Sequence, residues 1–178
     1  MRARTLAMAV WAGLALSAAA VPQAGPPQVT SRIVAPLADV PFEQLVVQQD
    51  SLTPDAGWLV WDPEWRGEVR SPSDMIGQRA WSSVWADGFE ALRALDANRD
   101  GELAGDELMG LSLWRDENGN GVSEPGEVLP ANVHGIAALS VIGQPTRPGL
   151  LIAPHGVRFD DGRTRPLYDW TPGRTPVS

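Results

Sequence analysis

The sequence predicts an α+β domain in which short helices carry two twelve-residue loops in tandem, with small antiparallel β elements beside them. Three observations predict it. The run QRAWSSVWADGFEALRALD has a helical period: Phe89, Leu92 and Leu95 fall at i, i+3 and i+6, with Trp85 at i−4. Two acidic stretches, DANRDGELAGDE (Asp96–Glu107) and DENGNGVSEPGE (Asp116–Glu127), resemble each other at an offset of 20 residues, an internal repeat. The remaining apolar runs are short and strand-like, and the last pair is joined by the turn signal Asp160-Asp161-Gly162-Arg163, where Asp-Gly tolerates positive φ.

In chain order, residues 1–20 read as a secretory signal peptide. Arg2 and Arg4 precede an apolar run to about Leu16, and small residues follow to Ala20. That run is short for a membrane span, so an exported chain with no span after cleavage is expected, secreted or periplasmic. Residues 21–55 are rich in Pro, Gln and Val without a sustained period, which predicts an extended or flexible leader. Residues 56–143 hold the helix, both acidic stretches and a strand at Ile136–Ile142. Residues 144–178 predict a C-terminal hairpin packed on them. Between the acidic stretches lies LMGLSLWR, too short for an outgoing and an incoming helix. Its alternation of Leu111, Leu113 and Arg115 against Ser112 and Trp114 predicts a strand, with Ile136–Ile142 as its partner.

Charge narrows the partners. The 178 residues carry 22 acidic and 14 basic side chains, a net of −8, and every basic residue is arginine. An acidic balance argues against nucleic acid and anionic membranes and suits cations. There is no cysteine, which excludes disulfides and zinc–thiolate sites. A secreted domain without disulfides often takes another staple, and bound metal is one.

The acidic stretches have the chemistry for it. A hard divalent cation such as Ca²⁺ takes six to eight oxygens, and a twelve-residue loop supplies them from places 1, 3 and 5, a carbonyl at 7 and a glutamate at 12, with glycine at 6 for the turn. The Asp96 loop fills these places with Asp96, Asn98, Asp100, Glu102 through its carbonyl, and Glu107, and Gly101 is at 6. The Asp116 loop fills them with Asp116, Asn118, Asn120, Val122 through its carbonyl, and Glu127, and Gly121 is at 6. Two Ca²⁺ ions are therefore expected. Glu124, at place 9, is placed where a side chain could bind directly or through water.

The run GFEALRALDANRDGELAGDELMGLSLWRDENGNGVSEPGEV followed by GIAALSV resembles the EF-hand-like calcium-binding region of large secreted bacterial proteins, including RTX haemolysin-like proteins. The short loops are also similar to those of dockerins. The resemblance covers Gly57–Ile142 and implies an upstream loop, which WDPEWRGEVRSPSDMIG would form. There Asp62 matches the first ligand, Gly67 the turn glycine and Asp74 the late carboxylate. Glu64 replaces an asparagine, and Arg66 stands where the third ligand belongs, so this loop is expected to be degenerate.

Other residues point to no chemistry. His134 and His155 lie in no nucleophile or metal arrangement, and no catalytic residue is identified, so an enzyme is not expected. Seven tryptophans follow the leader and predict aromatic core filling. The function expected is an exported protein with structural calcium. The alternative is a dockerin-like, calcium-dependent module for another exported protein or a glycan.

Overall fold

The structure, a computed structural model, describes residues 30–48 and 51–173. The expected signal peptide lies outside the described residues. Besides four short 3₁₀ turns, two α-helices and eleven strands follow in order among the described residues: β1 (Arg32–Pro36), α1 (Phe42–Leu45), β2 (Val46–Gln48), β3 (Ser51–Leu52), β4 (Ala56–Trp61), α2 (Gly88–Arg93), β5 (Glu102–Ala104), β6 (Leu111–Trp114), β7 (Val128–Pro130), β8 (Ile136–Ser140), β9 (Gln144–Arg147), β10 (Leu150–Phe159) and β11 (Thr164–Trp170).

The expected α+β class is overturned. The described chain is mostly β: a curled nine-stranded antiparallel sheet, a half-barrel, with a small two-stranded β2-β3 sheet and two short α-helices. Its strands run β5-β8-β10-β11-β1-β4-β6-β7, and β9 pairs with the start of β10. The reasons are local. The predicted helix is broken at Trp81 and Ser82, whose φ values are 55° and 59°, and α2 starts only at Gly88, where the Asp87 carboxylate accepts the Glu90 N–H at 2.8 Å. No α-helix leaves either acidic loop. Gly105, at place 10 of one, and Gly110, just past its end, take φ of 57° and 87°, and Pro125 and Gly126 (φ 96°) close the other. Each loop exits into a strand instead.

Pairing differs from expectation too. β6 is a strand as predicted, but it pairs with β4 and β7, while β8 pairs with β5 and β10. The stretch read as a leader contains β1, which lies between β11 and β4 in the middle of the sheet.

The central strands β11, β1 and β4 bury apolar side chains on both faces of the sheet. Ile33, Leu59, Leu113 and Leu167 join one core with Phe89 and Leu92 of α2. Val34, Trp58, Trp114 and Tyr168 point the other way and join Phe42 and Leu45 of α1. In that second core Trp58 stacks on Trp170 at 5.8 Å between ring centroids, and Phe42 meets Tyr168 at 4.7 Å. Trp58, Trp114 and Trp170 are buried, Trp61, Trp81 and Trp85 pack partly buried on the first core, and Trp65 is 50% exposed.

The α2 helix sits tightly because glycine allows it. A Cβ on Gly143 would come within 2.2 Å of the Phe89 ring, and one on Gly88 within 2.9 Å of Asp169 Oδ1. Asp169, on β11, is fully buried. Its Oδ2 accepts the Gly88 N–H at 2.8 Å and the Ser31 hydroxyl at 3.0 Å, while Oδ1 has no hydrogen-bond partner. Burial pushes its carboxyl up to about 6, against the opposing pull of those two donors.

Candidate functional site: three loops on one frame

The two acidic loops and the upstream loop from Asp62 share one backbone frame. Place 4 is left-handed in all three: Trp65 (φ 53°), Arg99 (61°) and Gly119 (70°). So is place 6: Gly67 (73°), Gly101 (95°) and Gly121 (73°). Glycine takes that region without strain and stands at place 6 in all three loops, whereas Trp65 and Arg99 adopt it at place 4 with a side chain attached.

The frame is held by the carboxylate at place 1, buried in each case. Asp62, Asp96 and Asp116 are 2%, 8% and 9% exposed. One oxygen of each accepts the N–H of the place-6 glycine, at 2.8, 3.0 and 2.8 Å respectively. The other oxygen accepts an earlier loop N–H, from Arg66 at 2.9 Å, Arg99 at 2.7 Å and Asn120 at 3.1 Å. Places 3 and 5 continue the pattern as turns in which a side-chain oxygen takes the N–H two residues on. Asn98 takes that of Asp100 at 2.9 Å, and Asp100 that of Glu102 at 2.9 Å. Asn118 takes that of Asn120 at 2.9 Å, and Asn120 that of Val122 at 2.7 Å.

The glutamate at place 12 closes each acidic loop. Glu107 accepts from Ala97, Asn98 and Ala104 at 2.9, 3.2 and 3.3 Å. Glu127 accepts from Glu117 and Glu124, both at 3.0 Å, and from the Trp114 indole N–H at 3.3 Å. The structure thus brings the predicted residues of each loop around one turn of chain. At place 7, the Glu102 side chain turns outward to Arg158 at 3.0 Å, consistent with a role for its main chain alone. Val122 is exposed. Glu124 accepts the side-chain amides of Asn118 and Asn120, at 2.6 and 3.3 Å. Among the described residues, no group of three or more His, Cys, Asp and Glu side chains is placed to hold a metal ion. The oxygens offered are a mixture of carboxylate, amide and main chain.

The upstream loop differs from the other two in its charged contacts and in the residue matched to its late carboxylate. Arg66 Nη1 donates to Glu64 Oε2 at 3.0 Å, and Arg66 Nε lies 3.9 Å from Asp62 Oδ1. Asp74 does not close this loop as Glu107 and Glu127 close theirs. Its carboxylate accepts the N–H groups of Arg70 and Ser71, both at 3.0 Å, and caps the short turn Pro72–Asp74.

Sequence reasoning missed a clasp between loops. Val69 and Ser123 both stand at place 8. The Val69 N–H donates to Ser123 Oγ at 2.8 Å, and the Ser123 hydroxyl donates to the Val69 carbonyl at 3.3 Å. A polar residue at a place otherwise held by Leu103 was the available signal. Burial and nearby Arg115 lower the proton affinity of His134, and His155 Nδ1 shares a hydrogen bond with Thr164 Oγ1 at 3.2 Å.

Residues 36–169, which are 134 of the 178, match the SPM domain, and the chain belongs to that family. No curated protein matches the chain.

Proposed function

We propose that this SPM-domain chain is an exported calcium-binding protein whose two acidic loops each hold one structural Ca²⁺. The observation that carries the reading is the shared frame: a buried carboxylate at place 1 fixes two left-handed turns, and a glutamate at place 12 folds back over them. Asp96, Asn98, Asp100, the Glu102 carbonyl and Glu107 would serve one ion. Asp116, Asn118, Asn120, the Val122 carbonyl and Glu127 would serve the other. With the glutamate bidentate, each set offers about six oxygens, the lower limit of what Ca²⁺ takes. The resemblance to EF-hand-like regions of secreted bacterial proteins supports the same assignment, and the basic–apolar–small start of the sequence supports export.

The ion's work would be electrostatic. Each acidic loop concentrates negative charge that repels itself when the loop is empty and closed. Extracellular modules of this type bind at roughly 10⁻⁴ to 10⁻³ M. At about tenfold excess of calcium, each site then adds roughly 1–2 kcal/mol to folding stability. That suits a staple for a chain without disulfides.

Trp65 favours a second reading, a calcium-shaped surface for an exported protein or a glycan. Its ring is 50% exposed and lines a groove with Met109 and Asn132.

The test is a calcium titration of chelator-treated protein by calorimetry and thermal melting, beside Glu107→Gln and Glu127→Gln. Two ions, a raised melting temperature, and loss of one ion in each single variant are expected. Wild type that takes up no calcium at 10 mM would overturn the proposal.

A further inference from the structure

The Asp62 loop has the frame of a cation loop with a cationic side chain inside it. Residues 62–73 carry three acidic side chains and two arginines, a net of −1. Residues 96–107 carry five acidic side chains and one arginine, and residues 116–127 carry four acidic side chains and no arginine, a net of −4 each. Arg66, at place 5, reaches back over the loop. Its Nη1 donates to Glu64 at place 3, and its Nε lies 3.9 Å from Asp62 at place 1. Asp62 is 2% exposed, so solvent does not neutralise it, and two main-chain N–H groups carry no net charge to do so. Arg66 Nε is itself buried with no hydrogen-bond partner, so what it offers Asp62 is charge rather than a bond.

We infer that Arg66 is a tethered cation, doing permanently in the Asp62 loop what a bound ion does in the other two. The inference rests on the calcium reading for its comparison, and its physical content stands without it. A guanidinium on its own loop cannot dissociate, so this loop keeps its shape at any calcium concentration. Through the Val69–Ser123 clasp it then holds place 8 of the Asp116 loop in position. The Asp96 loop has no such neighbour: its place 8, Leu103, is buried in the sheet opposite Leu139. Of the two acidic loops, the one from Asp116 therefore binds on a scaffold set by Arg66.

The full-length chain is compared as wild type, Arg66→Lys, Arg66→Met and Arg66→Asp, by thermal melting in chelator and in 10 mM calcium, and by calorimetric titration with calcium chloride. Arg66→Met removes the charge and keeps much of the stem. It is expected to melt roughly 5 °C lower in chelator and to bind calcium at least threefold more weakly at one site, the site that Glu127→Gln abolishes. Arg66→Lys keeps most of both properties. Arg66→Asp melts lowest in chelator and recovers most on adding calcium, because the vacated place now holds an oxygen ligand. Arg66→Met that melts and titrates like wild type would overturn the inference, and so would Arg66→Lys behaving like Arg66→Met. If wild type binds no calcium, the calcium reading fails, while the ranking of the four melts in chelator still decides whether Arg66 acts as a cation.

Discussion

Replacing Asp169 by asparagine should make the stability of this chain less dependent on pH. Asp169 is fully buried, anchors the N-terminus of α2 through the Gly88 N–H, and has one oxygen without a hydrogen-bond partner. Burial raises its carboxyl from 3.8 to about 6. A raised carboxyl binds its proton more tightly in the folded chain than in the unfolded one. Stability from this group is therefore present below about pH 3.8 and lost as pH rises through about 6. A shift of about two units corresponds to about 3 kcal/mol. Asparagine is neutral throughout and keeps an oxygen for Gly88 and Ser31, though its amide N–H groups enter an apolar site, a constant offset of about 1–3 kcal/mol. The assay is urea unfolding of wild type and Asp169→Asn at matched calcium from pH 4 to 8. Taking the difference at each pH cancels the other titrating groups. That difference should move by about 2–3 kcal/mol in favour of the variant as pH rises, with most of the change between pH 4 and 6. A difference that stays constant within about 0.5 kcal/mol across the range would refute the reasoning.

Two further outcomes follow from the same packing. Trp114 donates its indole N–H to Glu127 from an 8% exposed position, so calcium entering the Asp116 loop should change its fluorescence. Trp114→Phe should remove most of that change while the heat of the Asp96 site persists in calorimetry. A fluorescence change of full size in the variant would show that the signal arises elsewhere. Gly143→Ala should destabilise by about 3 kcal/mol, the upper end of usual overpacking costs, because its Cβ would sit 2.2 Å from the Phe89 ring. A thermal melt within about 2 °C of wild type would show that Phe89 can move aside.

The candidate site was more legible than the fold, because the two depend on contacts of different range. The carboxylate and side-chain-to-backbone hydrogen bonds that form the turns of the acidic loops span ten residues or fewer, so twelve places of sequence contain most of the frame, whereas the Trp114–Glu127 bond and the Val69–Ser123 clasp reach beyond it. β1 is the opposite case. Its residues Ile33 and Val34 are buried on opposite faces, so no alternation marks them, and its partner on β11 lies more than 130 residues away. The helix expected from Gln78 to Leu95 fails for a third reason: the apolar spacing is real, but Trp81 and Ser82 adopt left-handed backbone that spacing does not encode. The Ser31–Asp169–Gly88 contact joins three distant positions and left no trace in the sequence.

The strand order has a consequence for how the two ends of the sheet are kept from sticking. At either margin of the half-barrel stands a three-residue strand, β5 or β7. Such margins expose unpaired main-chain groups and invite foreign strands. β5 lies within the Asp96 loop, and β7 begins at the residue after Glu127. Whatever orders the two loops thereby also trims the two margins, holding each short strand in register and ending it in a turn. Pro130, without an N–H to offer, finishes β7 the same way. On this view the loops serve as hems as well as staples, and if the proposed calcium orders them, its removal would show first as self-association along those margins, before the core had opened.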